Sequence, residues 1–196
     1  MQRIALLERL EKSSSELSDL VSGYEGNAPD FADCASRWIR GIEDACRAFR
    51  VSRGARFAAI RGRISAAGDG WLPDQSAERT RSSRRRAERV AAMQAVVDAE
   101  GALREEIARH RDHLDEMREK VVQIVTVIHG TTPIEKPAAL DTAFLRKTWA
   151  SFGGRDEAKM MHIFLDANLS LLDRLYLLQD VLESIFTQPP TDPEDV

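Results

Sequence analysis

Aromatic residues are scarce in this chain, at 6% of 196 residues, and cysteine occurs only twice. Two cysteines build no disulfide framework, and there is no CxxC to suggest a zinc or redox motif. Cys34 and Cys46 stand twelve apart in one predicted helix, roughly 18 Å along its axis at ~1.5 Å per residue, so they cannot bond to each other there. Long apolar runs are also missing. The strongest, "VVQIVTVI", falls well short of the ~20 residues a membrane span needs. The opening "MQRIALLERLEKSSSELSDL" has no leader shape, because Glu8 and Glu11 interrupt any apolar region. A cytoplasmic protein of a reducing compartment, without a transmembrane segment, is expected. No Gly-rich phosphate loop and no Ser-His-Asp pattern is present. The two glycines of "SFGGRDE" read as a turn.

What is abundant is charge, at 31% of residues, together with the Ala, Leu, Glu and Arg of long helices. The net charge of −4 hides an asymmetry: residues 1–36 carry −4, residues 37–89 carry +8 and residues 90–196 carry −8. Every basic residue of the middle segment is Arg, but arginine outnumbers lysine 23 to 5 over the whole chain. Its use there is therefore no signal by itself.

Apolar residues recur at helical spacing throughout, and no strand alternation competes with them. Leu6, Leu10, Leu17, Leu20, Val21 and Tyr24 mark a first helix over 3–24. Asn27 is the expected cap of a second, with Pro29 in its first turn. Its stripe runs from Phe31 through Trp38, Ile42 and Phe49 to Phe57, Ile60 and Ile64, with a bend foreseen near "SRGAR". "AAGDGWLPDQ" breaks it. From Met93 to Ile128, eleven positions step by three and four, a sustained heptad predicting a coiled-coil-like spine over 75–129. A short helix is expected over 139–151. A last one over 155–187 has Met161, Phe164, Asn168, Leu171, Leu175, Leu178, Leu182 and Ile185 on its stripe. The fold class is thus all-α: an elongated antiparallel bundle of about five helices, one domain over residues 1–187. Residues 188–196, "QPPTDPEDV", read as a disordered acidic tail.

Three features bear on function. "RTRSSRRRAERV" places Arg79, Arg81, Arg84, Arg85, Arg86 and Arg89 around nearly the whole circumference of a helix. No apolar face remains there, so the segment is expected to be an exposed basic end. It is either a solvated helix end or a grip on nucleic acid or another anionic surface. "EEIARHRDHLDE" sets Glu106, His110 and His113 on one helix face. There is no Glu-x-x-His and no matching half elsewhere, so no metal, cofactor or catalytic set is expected. His110 reads as a polar specifier of helix register in the seam, like Glu100 and Asn168, and His113 as exposed. The same stretch puts Arg104 six residues before His110. That spacing is similar to the Arg-to-His pattern of the all-helical HEPN-type ribonucleases, but Glu105 replaces the polar residue usual after that Arg, and no site residue is carried over.

The favoured expectation is a non-enzymatic interaction protein acting through helix pairing: an adaptor, a scaffold or a secretion-type chaperone. A protein partner and a homodimer are expected. Flagellar and secretion chaperones resemble it in their long amphipathic helices with leucine stripes. The alternatives are a nucleic-acid-binding module using 79–89 and a helical-bundle enzyme, RNase-like or metal-dependent, centred on His110.

Overall fold

The structure, a computed structural model, describes residues 2–69 and 81–187. These residues form eight helices and no strand: α1 (Arg3–Ser15), α2 (Leu17–Glu25), α3 (Phe31–Ala48), α4 (Gly54–Gly68), α5 (Arg81–Thr131), α6 (Thr142–Phe152), α7 (Asp156–Asn168) and α8 (Leu171–Thr187). The chain is an all-α bundle, and three of the five expected helices are each broken once. The tail at 188–196 and Arg79 lie outside the described residues.

The described residues among 5–111 form one compact unit. Its core joins Leu6 and Leu10 of α1, Phe31, Ala35, Ile39, Ile42 and Cys46 of α3, Phe57, Ile60 and Ile64 of α4, and the first part of α5. Two rows of α5 reach this core. One is the expected stripe, in Val96, Leu103 and Ile107, and the other is a row of small residues, Ala92, Ala95, Ala99 and Ala102. Alanines lower the α5 surface so that neighbouring helices approach closely. Trp38 donates its indole N–H to the Ser13 carbonyl (2.8 Å), which ties α3 to the end of α1.

The expected second helix folds back on itself as α3 and α4. Arg50 adopts a left-handed conformation, φ 57°, and Val51 N–H bonds to the Cys46 carbonyl at 2.8 Å. Gly54 opens α4 directly against α3, where an added Cβ would stand 2.8 Å from the Cys46 Cβ. Only glycine allows this approach. The bend foreseen near "SRGAR" is therefore a full reversal. The cap foreseen at Asn27 also moves. Asn27 is left-handed, φ 56°, and ends the turn after α2, while Asp30 precedes α3 without a side-chain cap bond.

The second unit comprises, among the described residues, 2–4 and 112–187. Leu114, Met117, Val121, Ile124 and Ile128 continue the α5 stripe into its core, with Leu145, Trp149 and Phe152 of α6, Leu165 of α7, and Leu175, Leu178 and Leu182 of α8. Asp141 caps α6 by accepting from Phe144 N–H (2.7 Å). The expected last helix is interrupted at Leu169, whose backbone is extended. Ser170 then starts α8: its hydroxyl accepts Asp173 N–H (3.2 Å) and donates to the Asp173 carboxylate (2.8 Å). Asp173, buried, also accepts from the backbone N–H groups of Arg3 and Ile4 at 3.0 and 3.1 Å, satisfying the open start of α1.

Candidate functional site

The arginine cluster divides into two kinds of residue. Arg81 is described only as the first residue of α5. Arg84, Arg85 and Arg86 are exposed, and none forms an ion pair with another described residue. Arg85 and Arg86 line a cleft of about 490 Å³ opposite Asn27 and Pro29, with Asp33 and Glu88 also on its walls. Arg89 departs from the expected exposed end. It is half-buried, donates to the Tyr24 carbonyl and the Asn27 side-chain oxygen, and lies over the Tyr24 ring at 4.6 Å. Two turns into α5 the helix surface is already covered by the α2–α3 connection. Arg89 uses its fork of donors to hold that connection in place.

The histidine motif sits in protein interior. Glu106 and His110 are buried, with His110 Nε2 3.2 Å from Glu106 Oε1, and Arg109 pairs with the other Glu106 oxygen. Arg104, which a ribonuclease-like reading would bring to His110, is instead exposed and pairs with Glu100. His113, expected to be exposed, is half-buried, and its Nε2 is out of solvent contact. Burial, and secondarily the Arg3 charge, hold its pKa below the ordinary 6.5. Among the described residues no three His, Cys, Asp or Glu side chains are grouped to hold a metal ion. Cys46 is inert for a physical reason: burial, then the Glu106 charge, push its thiol up to about 11.

A second buried acid was not singled out from the sequence. Glu43 in α3 is bound on one side by Arg47 and on the other by Arg61 of α4, at 3.1–3.2 Å from its Oε2. It locks the α3–α4 reversal and has no free oxygen for chemistry.

The feature that stands apart is on α7 and α8. The expected stripe of the last helix does not all face inward. α7 buries Ala158 and Leu165. Phe164 and Leu171 are turned outward instead, and Asn168, foreseen in the seam, is exposed and donates to the Phe164 carbonyl (2.8 Å). The break at Leu169–Ser170 re-aims the stripe. The outward surface thus holds Met160, Ile163, Phe164, Leu171, Leu172 and Tyr176, with Met160 77% exposed and Tyr176 58%. Met160, Ile163 and Phe164 share one side of α7 by their spacing, and Leu171, Leu172 and Tyr176 share one side of α8, with the break at Leu169–Ser170 between the two groups. Between Met160 and Tyr176 the exposed charge is Asp166, whose carboxylate already accepts from Arg174 and from the Trp149 indole (2.9 Å); exposed Lys159 precedes Met160. Lys120 lies over the Phe164 ring at 5.5 Å.

Among the described residues no helix is long and apolar enough to cross a membrane. Comparison with protein-family models, with curated proteins and with solved structures gives no match for this chain.

Proposed function

We propose that this chain is an interaction protein, an adaptor, scaffold or secretion-type chaperone, that works by pairing helices across the α7–α8 face. The observation that carries the reading is the group of six large apolar side chains exposed on α7 and α8. Soluble proteins rarely leave contiguous apolar patches uncovered, and such patches mark interfaces. Aromatic residues and methionine, enriched at interface centres, are both present here. The partner is a second copy of the chain. A two-fold interface sets a surface against itself, so like charges meet like charges. This face limits that cost, since Asp166 is paired with Arg174 and Lys120, beside Phe164, with Glu116. The test is the molecular mass in solution of the parent and of Leu172→Glu. A dimer in the parent and a folded monomer in the variant are expected. A parent that is monomeric at all concentrations overturns the reading.

The exposed Arg84, Arg85 and Arg86 favour a second reading, in which this end of α5 grips nucleic acid. Steep loss of duplex binding with added salt, and loss of binding in the triple Ala variant, are its signature. Absence of binding at low salt removes it.

A further inference from the structure

We propose that the groove between α2 and α3 is a docking site for a basic amphipathic helix of a partner protein, separate from the α7–α8 face. Leu17, Leu20 and Tyr24 of α2 pack against the core, yet the helix buries none of its residues completely. Beneath it lies a cavity of about 420 Å³, lined by Leu20, Gly23, Ala28, Phe31, Cys34 and Trp38. Here Leu20, Gly23 and Ala28 with the buried Phe31 and Trp38 bound an open groove that takes more than one large apolar side chain. That is the geometry of a groove receiving spaced apolar anchors from a helix.

Charge selects the kind of helix. Glu16 and Asp19 stand exposed at the mouth. The guanidinium of Arg37, the one base on the lining, is directed at the Cys34 sulfur at 3.1 Å. Residues 1–36 as a whole carry −4. An incoming helix with Lys or Arg beside its apolar anchors gains from this rim, and an acidic segment is repelled. The chain's own C-terminal "TDPEDV" is acidic and Pro-rich, so it does not fit.

Cys34 gives a direct readout. It is a partly accessible wall of the groove, whereas Cys46 is buried and its thiol is suppressed. Alkylation by iodoacetamide therefore reports on Cys34. The probe is an amphipathic Leu–Lys peptide, with a Leu–Glu peptide of the same pattern as control. Saturating Leu–Lys peptide is expected to slow Cys34 alkylation at least about tenfold. The double variant Glu16→Lys/Asp19→Lys, at exposed positions, should raise Kd at least about tenfold, which is about 1.4 kcal/mol. Gly23→Leu, which fills the groove from α2, should do the same. Leu172→Glu should leave peptide binding intact, so failure of the dimer reading and failure of this one are distinguishable. Unchanged alkylation, equal protection by the Leu–Glu peptide, or full affinity in either groove variant overturns the proposal. Loss of binding in Leu172→Glu also overturns it, because the peptide would then occupy α7–α8.

Discussion

Single residues in this protein are held mainly by arginine–carboxylate pairs and by buried polar groups with designated partners. Glu43 shows the pattern. It is buried between Arg47 and Arg61, so removing its carboxylate takes the acidic partner from the partly buried Arg61 and unties α3 from α4, while the exposed Arg47 keeps Asp44. Glu43→Ala should lower stability by about 1–3 kcal/mol in denaturant unfolding, and an unchanged midpoint would show that the pair is dispensable. Two histidines make the second unit sensitive to acid. Burial holds His113 and His162 below 6.5, although the Trp149 carbonyl bonded to His162 opposes the shift. As pH falls through 6.5 the unfolded chain takes up protons before the folded one. Stability from the neutral rings is complete above that pH and is lost progressively as pH drops toward the folded values. The melting temperature should fall between about pH 7 and about pH 5, and the double variant His113→Gln/His162→Gln should flatten that slope. An identical slope in the variant would contradict the assignment. None of this was legible in the sequence. Histidine spacing gives a face, but whether a ring is desolvated depends on what packs against it from elsewhere in the chain.

Among the elements, α5 was the most legible, because a heptad over eleven positions cannot be mistaken for anything but a helix with one buried side. Nine of those eleven are buried, and Met93 and Glu100 are half-buried. The parallel alanine row was overlooked because alanine carries little hydropathy contrast. The breaks were harder to read. "SLLD" ahead of an apolar run has the spacing of a capping box, and Ser170 and Asp173 do cap α8. That signal was present in the sequence but was overridden by the continuity of the leucine stripe. The reversal at Arg50 has no comparable signature, since arginine seldom takes a positive φ. Arg89 binds α5 to the α2–α3 connection, so Arg89→Ala should cost about 1–2 kcal/mol. Replacing Arg84, Arg85 and Arg86 together should leave the melting temperature within a few degrees, because exposed charges contribute about 0–1 kcal/mol each. Equal losses in the two variants would mean that the exposed arginines also make stabilising contacts.

For the whole molecule, the question is why α7 and α8 carry more apolar surface than their core uses. Leu175 and Leu172 stand three residues apart on α8, one buried and one 55% exposed. Leu175→Asp places a charge in the core and should cost several kcal/mol or prevent folding. Leu172→Glu should leave the monomer's helicity, read by circular dichroism, intact. Composition and periodicity foretold the helical bundle. They did not foretell this face, because the expected stripe counts every leucine as core until the break at Leu169 divides them. The most direct test is sedimentation equilibrium of the parent chain from low to high micromolar concentration. The account predicts a mass that rises with concentration to twice the monomer value, a rise that Leu172→Glu suppresses. A parent mass fixed at that of one chain, or a dimer untouched by Leu172→Glu, would contradict it.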